Sequence, residues 1–264
     1  MIPKVIHYCW FGGKRKPKLV RVCISSWKKY LPDYKIVEWN EKNTDLTHPF
    51  VKEAYHLKKW AFVADYIRLQ ILYEFGGIYL DTDMMLLKNI DNLLYDDCFF
   101  GAEDNNYING AIIGAIPKND FIKNIKDFYD CKEFNLSNLL DLVLPRIVTK
   151  VFYNYSLMNK GFNEIIKCKT VTIYPQEYFY PLPFENRYQR FNYKKHIKIE
   201  SYAIHLWEGS WLTPPNFSEF DEIRNGNYLK GLKKVSKEIF KKRITFKYIR
   251  KILSSFKQSF KFYV

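Results

Sequence analysis

The chain has no C-x-x-C pair, and its five cysteines, Cys9, Cys23, Cys98, Cys131 and Cys168, are scattered and odd in number. That spacing excludes a zinc-ribbon type of site and argues for reduced thiols over a disulfide framework. No segment approaches the roughly 18 uninterrupted apolar residues that a spanning helix needs. The first residues, MIPKVIHYCWFGGKRK, lack the basic-then-apolar order of a secretory signal, because the short apolar stretch comes first. A cytoplasmic protein is the resulting expectation. There is no Gly-rich phosphate loop of the P-loop type, which weakens a metal-dependent nucleotidyl- or phosphotransferase as an alternative. Internal repeats and low-complexity linkers are missing as well. Acidic residues nearly vanish at the end: from Lys230 onward there are twelve Lys/Arg and only Glu238. That segment carries +11 of the chain's net +14, which leaves the rest at +3. A basic protein of pI near 9.3 invites a nucleic-acid reading. The nearly neutral body argues against it, so no nucleic-acid partner is expected.

What is present fits a folded chain. With 264 residues, 47% hydrophobic and 18% aromatic, it is long enough to bury a full core. Residues 4–9, 34–39, 78–80, 98–103, 110–116, 169–175 and 201–207 read as strands. Helical spacing occupies 17–32, 58–75, about 118–129 and 136–154. Gly76 and Gly77 close the second of these helices. Strands and helices alternate early and mix later, which predicts an α/β sheet flanked by helices. A division into a body, residues 1–226, and a basic amphipathic helical tail, residues 227–264, follows from the charge shift. In the tail, Ile249, Ile252, Leu253, Phe256 and Phe260 share one helical face. Such a helix either docks on an anionic membrane surface or packs on its own domain.

The chemistry concentrates around YEFGGIYLDTDMM, residues 73–85. Asp81 and Asp83 follow directly on a short apolar strand. Two carboxylates this close repel and are costly to bury unless a cation pairs with them. Mg or Mn, which take oxygen ligands, would resolve the conflict, and so would a plain surface turn. In an extended segment the two side chains would point the same way. Asp65 and Arg68, three residues apart on an otherwise apolar helix, form either an internal ion pair or a site for polar ligand groups. Trp10, before Gly12 and Gly13, has a flat face that can stack on a nucleobase, although a core position is the usual fate of a tryptophan. His7 reads as a structural histidine. In AIHLWEGSW, residues 203–211, His205 is either a core histidine or a metal ligand, and Ser210 and the Trp211 indole can donate to a phosphate. The Asn109 amide both donates and accepts, as sugar hydroxyls require.

In this order, IPKVIHYCWFGG, SWKKYLPDYKIVEWNE, AFVADYIRLQILYEFGGIYLDTDMM, NGAIIGA and AIHLWEGSW resemble glycosyltransferase family 32, whose sugar-binding region contains a DXD motif. The group includes fungal Golgi mannosyltransferases and bacterial capsular-polysaccharide enzymes. It is more distantly similar to large clostridial glucosylating toxins. The resemblance covers most of residues 2–211. It implies a GT-A fold, a UDP- or GDP-sugar donor, Mn2+ or Mg2+, and retention of anomeric configuration. It places Trp10 on the base, Asp65 and Arg68 on the donor sugar and ribose, and Ser210 and Trp211 on the diphosphate. Asp81, Asp83 and His205 fall on the metal, with Asp83 the direct ligand. The implied reaction moves a hexose to a glycan or lipid-linked saccharide, in capsular or surface polysaccharide synthesis, at the inner face of the membrane. A catalytically inactive sugar-nucleotide-binding relative is the other reading. Many relatives carry Gly-Pro before the helix near Thr149, where this chain has Leu144-Pro145, so the acceptor side departs from the pattern.

Overall fold

A computed structural model describes residues 1–158, 160–208, 219–224, 226–239 and 246–262. The first half runs β1 (Val5–Cys9), α1 (Lys18–Tyr30), β2 (Lys35–Trp39), α2 (Pro49–His56), α3 (Trp60–Phe75), β3 (Gly77–Leu80), β4 (Met84–Leu86), β5 (Cys98–Ala102) and β6 (Ile108–Ala115). The second half runs α4 (Asp120–Asp130), α5 (Leu144–Ser156), β7 (Ile166–Cys168), β8 (Val171–Tyr174), α6 (Gln176–Phe179), β9 (Ala203–His205), α7 (Glu219–Arg224), α8 (Tyr228–Ile239) and α9 (Phe246–Phe262). Seven strands form one mixed sheet in the order β2-β1-β3-β6-β5-β8-β7, and β4 pairs with β9 in a separate two-stranded ribbon. This is the expected mixed sheet flanked by helices.

β3 is central and buried along its whole length, parallel to β1 and antiparallel to β6. The period of two in a strand sends alternate residues to opposite layers. Tyr79, Phe100 and Ile113 join the core under α2 to α5, whereas Ile78, Leu80, Phe99 and Ile112 join the core under α1. Helix α1 buries Leu19, Val20, Cys23 and Trp27, a single stripe at helical spacing. Helix α3 instead buries nearly every side of itself, Arg68 included, as a helix wedged between sheet and outer helices must.

The passage from α3 into β3 fixes the site. Gly76 and Gly77 have φ of 65° and 100°. A Cβ on Gly77 would stand 2.8 Å from the Val5 carbonyl oxygen and 2.9 Å from His7 Nε2, so only glycine lets the chain turn this close to β1. His7 secures the same turn: its Nδ1 accepts from the Trp39 indole at 3.1 Å, and Nε2 faces the Gly76 carbonyl at 3.0 Å. Trp39 can only donate, so His7 is the Nε2–H tautomer. It is the structural histidine its sequence context indicates.

Two expectations change on folding. Residues 136–142 form a 3-10 segment, and the helix begins only at Leu144, where Pro145 suits the first turn. Helix α2, not foreseen, starts at Pro49 and buries Phe50, Val51 and Ala54. The tail helices α8 and α9 both pack on α7, at the end of the body, and α9 also touches the 3-10 segment Phe184–His196. Glu222 on α7 is bridged to Lys230 at 3.0 Å and Lys234 at 2.8 Å.

Candidate active site

The strand β3 ends at Leu80, and the chain then turns: the Met84 amide donates to the Asp81 carbonyl at 2.9 Å. Asp81 to Asp83 is therefore not extended, and the two carboxylates are not held on a common face by strand periodicity. Each is drawn to a different partner. The turn is pinned from both sides. Asp81 N–H donates to the Ala111 carbonyl on β6 at 2.8 Å. Helix α1 grips β4, with the Trp27 indole donating to the Met84 carbonyl at 2.8 Å and Ser26 Oγ accepting from the Leu86 amide at 3.0 Å.

Asp81 turns toward α3. The Arg68 guanidinium reaches Asp81 Oδ1 at 3.2 Å and Asp65 Oδ1 at 2.8 Å through the same nitrogen, Nη2. Nη1 donates to the Gly110 carbonyl at 2.6 Å, and Nε donates to the Ala64 carbonyl at 3.1 Å. The group lies 4.4 Å from the centre of the Tyr79 ring, and the Tyr79 hydroxyl donates to Asp81 at 3.0 Å. Arg68 is thus a buried cation shared by two carboxylates. Burial pushes Asp65 up to about 7 despite the guanidinium beside it. Burial likewise raises Asp81, again against the pull of Arg68.

Asp83 turns the other way. Strand β9 brings His205 opposite Met84, and His205 Nε2 stands 3.1 Å from Asp83 Oδ1. The Glu208 amide donates to Asp83 Oδ2 at 2.8 Å. Trp207 supplies that bend with φ of 49°, a left-handed conformation unusual for a bulky residue, while its indole donates to the Leu182 carbonyl at 2.8 Å. Burial alone would raise Asp83. The charge and hydrogen bond of His205 and the Glu208 amide together hold it below the ordinary range, and the Asp83 charge in turn raises His205 against its own burial.

One ligand atom each from Asp81, Asp83 and His205 lie within 4.8 Å of one another. His205 Nδ1 is buried and has no hydrogen-bond partner among the described residues. His205 Nε2 is the ring nitrogen that faces Asp83, and two carboxylates with that nitrogen fit a divalent ion such as Mn2+, with Mg2+ served by the oxygens. The residues present therefore fit the metal that the DXD motif implies.

The other sequence candidates divide. Trp10 follows the end of β1 and is part-buried, with its indole donating to the Lys14 carbonyl at 2.6 Å and Lys16 lying 5.8 Å over the ring. β1 runs parallel to β3 with His7 paired to Tyr79, so Cys9 and Trp10 leave the sheet at the same end as Asp81. Asn109 is buried and already engaged: its amide donates to Glu103 at 2.5 Å and its oxygen accepts from the Ala111 amide at 2.8 Å. The amide expected to face a sugar instead braces β6. Ser210 and Trp211 lie outside the described residues.

Sequence reasoning missed Tyr79, Glu103 and Glu208. Tyr79 and Glu208 sit inside the quoted motifs, next to residues that were singled out. Burial raises the Glu103 carboxyl, and His205 is among the charges it senses. No local pattern marks it, because its relation to His205 exists only across the fold.

The comparisons with known proteins bear on this geometry. A family model described as "glycosyltransferase sugar-binding region containing DXD motif" matches residues 17–100, and one described as "alpha 1,4-glycosyltransferase conserved region" matches residues 121–214. The lactosylceramide 4-alpha-galactosyltransferase of Rattus norvegicus is 31% identical over 157 residues, covering 55% of this chain and 40% of the relative. The alpha-1,4-N-acetylglucosaminyltransferase of Homo sapiens is 23% identical over 160 residues, covering 57% of this chain and 44% of the relative. Among solved structures, the PaToxG glycosyltransferase aligns with a TM-score of 0.47 and 19% identity over 58% of this chain and 68% of that one. The chain spans less than half the length of these two curated relatives. The first match contains the whole Asp65–Arg68–Asp81–Asp83 constellation and the second contains His205, so each half of the site lies in a region matched by a glycosyltransferase model. Both matched regions are glycosyltransferase regions, and over them the chain resembles the family 32 group that its sequence suggests.

Proposed function

We propose that this chain transfers a hexose from a nucleotide-diphospho-sugar to a glycan or lipid-linked saccharide, with a divalent metal and with retention of configuration. The observation that carries the reading is the convergence of Asp81, Asp83 and His205 beside the buried Arg68–Asp65 pair. A metal ion bound by the three would neutralise charge on the departing nucleoside diphosphate, the electrostatic contribution that usually dominates such transfers. Arg68 is locked by four acceptors and cannot swing, which suits a rigid positioning role. Asp65, held by Arg68 with a carboxyl raised to about 7, presents its remaining hydrogen-bonding capacity to sugar hydroxyls. Among the described residues the carboxylates around the cluster are engaged: Asp65 and Asp81 with Arg68, Asp83 with His205 and the Glu208 amide, Glu103 with Asn109, and Glu208 with Arg190. None of these stands free as a covalent nucleophile, which favours front-face, ion-pair-like displacement.

Both curated relatives are named for alpha-1,4 transfer, and one acts on a saccharide carried by a ceramide. On that basis an α-1,4 linkage and a lipid-linked acceptor are the favoured refinements, while surface polysaccharide synthesis as the setting rests on the sequence resemblance alone. The test is a hydrolysis screen across UDP- and GDP-sugars with Mn2+ present, because transferases slowly hydrolyse their own donors. One donor is expected to be consumed, and chelation is expected to stop it. Failure to consume any donor while still binding one would instead support an inactive sugar-nucleotide-binding relative.

A further inference from the structure

Helix α9 is seated with the unexpected side inward. Ser255 and Ser259, four residues apart, are completely buried, and their hydroxyls donate to the Lys251 and Phe256 carbonyls at 2.8 and 2.7 Å. The apolar residues that would ordinarily line a core are outside: Leu253 is 63% exposed, Phe260 62% and Ile249 43%. Spacings of four and seven residues place these three in a single row along the helix. Arg250 and Lys257 follow one edge of the row, at about 80–100° around the axis from Ile249. Helix α8 joins this surface through Tyr228, whose ring stacks 5.4 Å from Phe256 and whose hydroxyl lies 3.1 Å from Ser259 Oγ. The residue after Tyr228, Leu229, is 88% exposed and is followed by Lys230 and Lys233.

Exposed apolar side chains on a folded, packed helix need a partner. Here the charge says which one. Residues 246–262 contain no acid, and across 230–264 there is one, Glu238. Among the described residues no helix is long and apolar enough to cross a membrane. A row of apolar side chains bordered by cations suits a helix lying in a lipid surface with its apolar residues below the headgroups. We propose that α8 and α9 form a docking face for an anionic lipid bilayer, with Leu253, Phe260, Ile249 and Leu229 inserting and Arg250, Lys257 and Lys233 meeting lipid phosphates. The two readings left open by the sequence combine: the serine edge of α9 packs on the protein, while Ile249, Leu253 and much of Phe260 stay exposed, with the Phe260 ring 6.2 Å from that of Tyr228.

Flotation of the full chain tests this, using vesicles of phosphatidylcholine alone and vesicles that also contain phosphatidylglycerol. The expected result is flotation with the anionic vesicles only, reversed by raised salt. Leu253→Ser with Phe260→Ser, and separately Arg250→Gln with Lys257→Gln, are each expected to lower the bound fraction several-fold. Donor hydrolysis in free solution is expected to stay at the wild-type rate in both. No flotation, or equal flotation of wild type and both variants, overturns the proposal. A dimer in sedimentation that Leu253→Ser with Phe260→Ser dissolves also overturns it, by assigning the row to a second copy of the chain. Flotation needs no turnover, so vesicle binding without donor hydrolysis counts against the enzymatic reading alone.

Discussion

At the residue scale, the site works through side chains whose roles are set by what they touch. Asp83 sits between His205 and the Glu208 amide, and an asparagine there keeps a carbonyl oxygen for the amide while losing the negative charge. Asp83→Asn is expected to lower donor turnover by at least ~100-fold, with circular dichroism unchanged. Turnover near the wild-type rate at ordinary metal concentration would remove the metal from the argument. His7 supports a different measurement. Burial lowers it from 6.5 to about 4, because its ring is enclosed and Nδ1 is already occupied by the Trp39 N–H. The unfolded chain then binds the extra proton first as pH falls. Stability associated with His7 is complete above pH 6.5 and is lost progressively as pH drops toward 4. The size is about 3 kcal/mol for a shift of this order. Urea midpoints across that range are expected to fall less steeply in His7→Gln, which can still accept from Trp39 and donate to Gly76.

At the element scale, the decisive feature is the junction of α3 and β3. It carries Arg68 on one side and Asp81 on the other, so its shape determines whether the ion pair meets. Gly77→Ala sets a Cβ against a backbone carbonyl at 2.8 Å in a backbone conformation that alanine avoids. It is expected to cost about 2 kcal/mol in chemical denaturation. Donor turnover is expected to fall as well, since β3 would shift against β1. An alanine variant as stable as the wild type would show that the turn relaxes freely. This junction was readable beforehand, because two glycines after an apolar helix have few other uses. Helix α2 was not: Phe50, Val51 and Ala54 do have helical spacing, but eight residues make barely two turns, too short a run to stand out.

At the scale of the whole molecule, the candidate metal cluster joins parts of the chain that are far apart in sequence. Asp81 and Asp83 follow the central strand, and His205 arrives on the ribbon strand β9. A ligand held by both parts should stabilise the assembled fold more than either part alone. Mn2+ at about a hundred times its dissociation constant is expected to add ~2.7 kcal/mol, and so to raise the melting temperature by on the order of 5 °C. EDTA is expected to reverse the shift and Asp83→Asn to abolish it. A shift of the same size in Asp83→Asn would place the ion elsewhere.

The sequence by itself determined the α/β class, the α3–β3 junction, the acidic pair, the Asp65–Arg68 pair and the concentration of basic charge at the end. Each of these is local: hydrophobic periodicity, glycine at a turn, or charges a few residues apart. Tertiary structure alone decided that Asp81 and Asp83 diverge to different partners, while the meeting of His205 with both, implied by the resemblance, is realised by the pairing of β9 with β4. It also decided that Asn109 braces a strand and that α9 turns its serines inward. The physical reason is the same throughout. Which groups meet across a sheet or between helices depends on register and packing summed over the whole chain, and no short window of sequence contains that sum.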